Sequence, residues 1–464
     1  MAGRHTVDIY PKPRSIKTHR GRFAPQRGPL TLRLAAGAPK WIKAATAIVG
    51  REIARAVRRR VTVRSDRRLV RCTATVDGAG VDPPKVIRAD RSSPPGTADQ
   101  AYEIDVQADR IAVRGSGWAG LGHGMMTLLD GCAGGLRRVR ICDAPRFGIR
   151  AMLLHLSYNQ WRDKPAKDMV YGYSDRLRFH KSVFDEAIAL MARLRMNMVM
   201  LDLGDAIRYR SHPEIAVKGA LTPAGLRRLL AQCRDLGIEP IPKLNFATTH
   251  DVWLKDYEKM VGTERYHRVC DDLIAEAIEL FDGPRFFHIG MDEETIEHHR
   301  GLGLEHVVLR EGQAWLDAVK RFDRTVRRHG ARTWMWGDPL WPDREGPTPA
   351  IPKRILLSDW NYSRQKAFPT SAAIAKMGYD NVPAGANWTH DENVGLLARF
   401  AARRLDPKKV PGMLMTVWNP TLRNCRCNIL NAISLAAGAF WNPEGPSLSP
   451  WPRDHSGGRL TGRR

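Results

Sequence analysis

Cysteine is scarce, with seven residues in 464 and an odd number at that, which excludes the dense disulfide framework of a small secreted domain. Cys425 and Cys427 make a C-x-C, but no second pair stands near it, so a soft-metal site is not expected there. Long apolar runs are missing too. No stretch approaches 18 apolar residues, which excludes a membrane-spanning helix. The N-terminal stretch has basic side chains without the apolar segment of a secretion signal. As it stands the chain is expected in the cytoplasm, and secreted or periplasmic if its true start lies upstream. Acidic residues are in deficit, 49 against 74 Lys and Arg, leaving a formal charge of +25. An anionic glycan or nucleic acid would answer that charge. The longest pure basic run is only Arg58 to Arg60, and no aromatic residue interleaves it to stack bases. Specific nucleic-acid binding is therefore not expected, and the charge reads as spread over solvated faces.

What is there divides into two units. TLRLAA alternates as a strand from Thr31, and Ile42, Ala45, Ile48, Val49, Ile53 and Val57 recur at helical spacing. YEIDVQADRIAVRGS reads as two strands joined at Ala108 and Asp109, followed by a helix around LGHGMMTLLDGC. The Pro- and Ser-rich stretch 82–96 reads as an internal loop. These features predict a small α/β domain over residues 1–143. From Arg146 onward eight short apolar runs follow, GIRAMLLHLS, MNMVMLDLG, IEPIPKLN, RFFHIGMDE, RTWMWGD, RILLSDWN, YDNVPAGAN and GMLMTVWN, with helical patterns between most of them. That alternation is the signature of a (β/α)8 TIM barrel, expected over 144–445. Residues 446–464 remain as a basic tail, expected to be disordered.

In such a barrel the chemistry sits at the C-terminal ends of the strands. Nearly every run here ends in polar residues or tryptophan: Asp202 and Asp205, Lys243 and Asn245, Asp292 and Glu293, Trp336 and Asp338, Asp359 and Trp360, Asn387, Trp418 and Asn419. The fourth run closes on adjacent carboxylates. Neighbours in a strand point to opposite faces, so both reach the mouth only where the strand breaks into a loop. Adjacent residues are poorly placed to straddle a sugar as acid and nucleophile about 5 Å apart. One can protonate a leaving oxygen while the other steadies a nucleophile that belongs to the substrate, as in substrate-assisted hydrolysis of 2-acetamido sugars.

At this point HIGMDEE resembles the H-x-G-G-D-E motif of glycoside hydrolase family 20, the β-N-acetylhexosaminidases, with Met291 in place of the second glycine. DAPRFGIRAMLLHLS resembles that family's approach to its first strand, which implies a sugar-binding role for Arg150. NMVMLDLGDAIRYRSHPEIA is similar to the second-strand motif and matches Asp205 to its aspartate, and PIPKLNFATTH matches His250 to the third-strand histidine. The small domain ahead of the barrel also looks like the one that precedes it in family 20. The resemblance implies Glu293 as general acid and base, with Glu294 next in line, and Asp292 as the group that orients the acetamido substituent and stabilises an oxazolinium. Trp336, Trp360 and Trp418 would wall the sugar, with Asp338 and Asn419 among the groups lining it. No cofactor or metal is implied, and the partner is a carbohydrate.

The departures bear on the substrate. Asn419 stands where the family commonly has a carboxylate, His155 where it has Asp, and Lys243 where it has Glu, a change that would suit an anionic sugar. Two other readings compete: a sugar-binding barrel without catalysis, and a metal-dependent hydrolase using His288, Asp292, His298 and His299.

Overall fold

The computed structural model describes residues 9–25, 28–77, 96–133, 135–160, 172–295, 308–342 and 348–446. Most of the stretch 82–96, His298 and His299, and the tail from 447 lie outside them. The N-terminal part is a seven-stranded sheet in the order β1-β7-β5-β6-β4-β2-β3. Its strands are β1 Ser15–Arg22, β2 Leu30–Ala35, β3 Val61–Asp66, β4 Thr73–Asp77, β5 Tyr102–Val106, β6 Ile111–Gly115 and β7 Arg137–Asp143. Helices α1 (Lys40–Val57) and α2 (Trp118–Ala133) bury their apolar stripes against it. In α1 the stripe is Ile42, Ala45, Val49 and Ile53, the i, i+3, i+7 spacing of an amphipathic helix.

The remaining strands, β8 Ile149–His155, β9 Met198–Asp202, β10 Glu239–Lys243, β11 Phe286–His288, β12 Arg332–Trp336, β13 Leu356–Ser358, β14 Ala384–Ala386 and β15 Gly412–Thr416, fall one in each of the eight apolar runs. Every neighbouring pair is parallel, in the order β13-β12-β11-β10-β9-β8-β15-β14. Short parallel bridges, Leu357 to Asn381 and Trp360 to Ala384, join β13 to β14 and close the barrel. The outer layer includes α3 Lys181–Arg193, α4 Pro223–Asp235, α5 Glu264–Leu280, α6 Gly312–Arg328, α7 Pro369–Lys376, α8 Asn393–Arg404 and α9 Arg426–Trp441. The expected fold class, a (β/α)8 barrel preceded by a small α/β domain, is the one observed. No described helix is long and apolar enough to cross a membrane.

Strand parity sets what the barrel interior holds. Leu153, Met200, Ile241 and Phe286 belong to one buried apolar cluster inside the barrel. Two residues further along each strand, on the same face, stand His155, Asp202, Lys243 and His288, side by side in register across β8 to β11. Trp336 and Trp418 occupy the same side of the barrel from β12 and the end of β15. The apolar interior thus gives way to a polar and aromatic layer directly under the C-terminal mouth.

Candidate active site

Asp292 and Glu293 lie just past β11, where the chain leaves extended geometry: Gly290, Met291 and Glu293 have φ of 72°, 73° and 56°. The left-handed region is costly for residues with a Cβ, and this break is what brings both carboxylates over the mouth. Gly290 is required by space as well as by φ, because a Cβ there would sit 1.8 Å from Asn245 Oδ1. That amide accepts Met291 N at 3.2 Å and donates from Nδ2 to Asp292 Oδ1 at 2.9 Å. His250 Nε2 is 3.0 Å from Glu293 Oε2 and 3.5 Å from Asp292 Oδ2, so one imidazole touches both acids.

The charges order themselves accordingly. Burial alone would lower His250, but Asp292 and then Glu293 overcome it and raise it to about 10. Burial would raise Asp292, but His250, Lys243 and Asn245 hold it well below the usual carboxylate range. Asp338 accepts from Glu293 N at 2.9 Å and from Trp360 Nε1 at 3.2 Å. Burial, and then the negative charge of Asp292, push it up to about 8, so it stays neutral at pH 7 beside an ionised neighbour. Ligand atoms of His250, Asp292 and Glu293 all lie within 4.8 Å of one another, so this trio is also where a metal ion would be held among the described residues. Of the metal set expected from sequence, His298 and His299 lie outside the described residues. His288 is fully buried and accepts Gly290 N on Nδ1 at 3.1 Å.

Aromatic rings line the mouth. Trp336 and Trp418 have centroids 6.0 Å apart, Trp360 stacks on Tyr362 at 5.2 Å, and Tyr362 meets Trp418 edge-on at 6.2 Å. Trp341 packs on Trp360 at 4.6 Å. Trp418 has φ of 46°, and its carbonyl accepts Tyr158 Oη at 2.7 Å. Trp336 is fully buried, and among the described residues its Nε1 has no hydrogen-bond partner. Asn419 is half-buried at the rim and accepts Asn428 Nδ2 at 2.6 Å. The structure therefore gathers Asp292, Glu293, His250, Asp338, Trp360 and Trp418 at the C-terminal end of the barrel, with Trp336 fully buried against Trp418 and His288, and Asn419 next to Trp418.

Four sequence expectations need correction, Glu294 among them. Arg150 is the second residue of β8, at the opposite end of the barrel from the mouth. Its neighbours Ile149 and Ala151 face inward, so it points outward, fully buried. Its guanidinium donates to Phe147 O at 2.8 Å and Arg195 O at 2.8 Å, and no sugar in the mouth reaches it. Asp205 is fully buried beside the mouth, with both oxygens taken by Ser157 Oγ at 2.5 Å and Asn159 Nδ2 at 2.8 Å. It holds the loop after β8 and stands 3.6 Å from Lys255 Nζ, so its hydrogen bonds and its charge are used within the protein. Lys243 is fully buried and donates to Asp202 at 2.6 Å, while burial lowers His155 and keeps it neutral. These two changes therefore bring no free cation for an anionic sugar.

Sequence reasoning missed Tyr158, Trp341, Tyr362 and Arg310. Tyr362 had a signal, since it lies two residues after Trp360. Arg310 had none. It binds Glu294 through Nε at 3.1 Å and through a second, closer contact, and donates to Phe246 O at 2.6 Å. Glu294 also accepts Thr248 N at 3.2 Å. Glu294 is thus buried in an ion pair away from the mouth and is no reserve acid.

No protein-family model and no curated protein matches the sequence. Solved structures do match. A β-N-acetylhexosaminidase from Bacteroides fragilis is 16% identical, aligns over 94% of this chain and 91% of its own, and has a TM-score of 0.65. A family 20 β-N-acetylhexosaminidase from Streptomyces coelicolor is 16% identical over 94% of this chain and 92% of its own, also at 0.65. A family 20 exo-β-N-acetylglucosaminidase from Vibrio harveyi, solved in complex with N-acetylglucosamine, is 16% identical over 94% of this chain and 73% of its own, at 0.60. The likeness is one of fold, and it extends over both the barrel and the domain ahead of it.

Proposed function

We propose that this chain is a divergent glycoside hydrolase of family 20 that removes β-linked 2-acetamido-2-deoxyhexose with retention, the substrate supplying its own nucleophile. The observation that carries the reading is His250 in contact with both Asp292 and Glu293. Two carboxylates held on one imidazole, from adjacent residues, support a shared side of the sugar and a nucleophile supplied by the substrate over an opposed acid and nucleophile pair. The aromatic mouth supports it, since indole and phenol faces pack against sugar C–H faces and N-acetyl methyls.

In this reaction the acetamido carbonyl oxygen attacks C1 while the bond to the aglycone oxygen breaks and takes a proton from Glu293. The oxazolinium N–H so formed carries positive charge against Asp292, which His250 and Asn245 hold ionised and oriented. Water then adds to C1 as Glu293 takes back a proton, and the ring opens to the N-acetyl sugar. Asp338, neutral at pH 7, fixes the backbone of Glu293 without adding a further negative charge.

The test compares aryl 2-acetamido and 2-hydroxy β-glycosides. Turnover is expected only for the former. Asp292→Asn should lower kcat by about 10²- to 10³-fold, the scale of losing one preorganised electrostatic partner, and should weaken binding of a thiazoline mimic of the bicyclic intermediate. Trapping a 2-fluoro sugar on Asp292 would overturn the mechanism. Binding of N-acetylglucosamine without turnover of any aryl glycoside would make this a sugar-binding barrel, and activity abolished by EDTA would favour a metal at the His250 cluster.

A further inference from the structure

We propose that the outer edge of the N-terminal sheet, from α1 round into β3, is a binding face for an anionic polysaccharide; the choice of a glycan among polyanions rests on the glycosidase reading above. The charge of the chain is unevenly placed. Residues 1–143 carry 27 basic and 12 acidic residues, which is 15 of the net +25 in less than a third of the length. Within them residues 40–71 hold eleven Lys and Arg against only Glu52 and Asp66.

The fold wraps that segment round the free edge of the sheet. β3 ends the sheet and pairs only with β2 among the described residues. It packs beside α1, where a Cβ on Gly50 would lie 2.9 Å from Val63. Arg51, Arg55 and Arg58 are exposed on and just after α1, and Arg60, Arg64 and Arg67 on and beside β3; Val63 faces α1, so by parity Arg64 lies on the other face of the sheet and the edge carries basic groups on both sides. Glu52 is engaged by Arg55 at 2.5 Å, and Asp66 by Arg68 at 3.4 Å and Arg33 at 3.6 Å. Among the described residues no carboxylate forms an ion pair with Arg51, Arg58, Arg60, Arg64 or Arg67. Like charges left unpaired on one edge repel one another, and a polyanion relieves that repulsion while releasing its counterions. Ile48 at 36% and Val63 at 41% exposure lie on the same segment and offer apolar contact to sugar rings. The one aromatic residue of the segment, Trp41, is half-buried against Gly122 and Gly237. No ring is therefore presented for stacking bases, which favours a glycan over single-stranded nucleic acid.

The experiment measures binding of a heparin oligosaccharide, as sulfated-glycan probe, to the full chain over a range of salt. The variant Arg51→Gln/Arg58→Gln/Arg60→Gln/Arg64→Gln is compared with Lys320→Gln/Arg324→Gln/Arg327→Gln/Arg328→Gln, which removes the same charge from α6 of the barrel. The edge variant should bind at least about tenfold more weakly at 0.1 M salt, with the slope of log K against log salt shallower by about 2–4. The α6 variant should change little, and thermal midpoints should report both variants folded. Equal losses in the two variants would mean bulk charge alone, and no binding by the wild-type chain would end the proposal. Tighter binding of DNA through the same arginines would make the edge a nucleic-acid face and overturn the glycan assignment. Hydrolysis is not read out, so failure of the glycosidase reading leaves this measurement intact.

Discussion

At the scale of single residues the site is governed by His250, whose imidazole touches both Asp292 and Glu293. His250, raised to about 10 by Asp292 and Glu293 against the effect of burial, binds its proton more tightly folded than unfolded. Its contribution to stability is therefore complete below its unfolded pKa of about 6.5 and is lost as pH rises through 10. Asp338, raised to about 8 by burial and Asp292, has the same sign but has finished titrating by then. Between about pH 9 and 11, above the Asp338 titration, the thermal midpoint should fall in the wild-type chain and fall much less in His250→Gln; parallel curves would remove His250 from the account. Gly290→Ala forces a methyl onto Asn245 and should cost about 1–3 kcal/mol, as overpacking does. Its kcat should fall further than its stability, because the displaced amide is the one that orients Asp292. Glu293→Gln should lose about 10²- to 10⁴-fold on aglycones that need protonation and far less on a very acidic phenol, measured as the ratio of kcat/KM for the two.

At the scale of elements the loops after β10 and β11 meet at His250 and Asn245, and behind these contacts a buried ion pair, Arg310 with Glu294, fastens them again. Arg310 and Glu294 between them take up Phe246 O and Thr248 N, and so fix the segment bearing His250 relative to the two acids. Arg310→Met leaves Glu294 buried and unpaired, a loss of about 3–5 kcal/mol; guanidinium unfolding would measure it. This pair was not legible in the sequence, because it joins residues sixteen apart with no periodic spacing to mark them. The eight barrel strands were legible, since inward and outward faces are both apolar and each strand reads as a short continuous run. Strands β1, β3, β4 and β7 were not. SIKTHRGR in β1 is exposed along almost its whole length and has no buried face to imprint an alternation. Arg150 was misplaced for a related reason: matching a motif fixes position along a strand, but parity and strand end decide which side chains see the mouth.

At the scale of the whole molecule the two units are joined through α9. Trp441 Nε1 donates to Asp143 at 2.8 Å, Tyr102 Oη donates to the same carboxylate oxygen at 2.9 Å, and the guanidiniums of Arg150 and Arg195 stand 5.1 and 4.8 Å from the indole centroid. Trp441→Ala should cost about 3–5 kcal/mol, as loss of a buried Trp does, and calorimetry should resolve one unfolding transition into two. The barrel itself is least continuous where β13 meets β14. Each is three residues long, and four backbone hydrogen bonds, from Leu357, Val382, Ala384 and Asn361, hold them together. Trp360, which steadies Asp338 and through it Glu293, takes part in that closure. Amide deuterium uptake should therefore begin at this junction, ahead of β8 to β10. On gradual heating, catalytic output should disappear before circular dichroism registers any loss of helix, because the barrel opens first beside its own mouth.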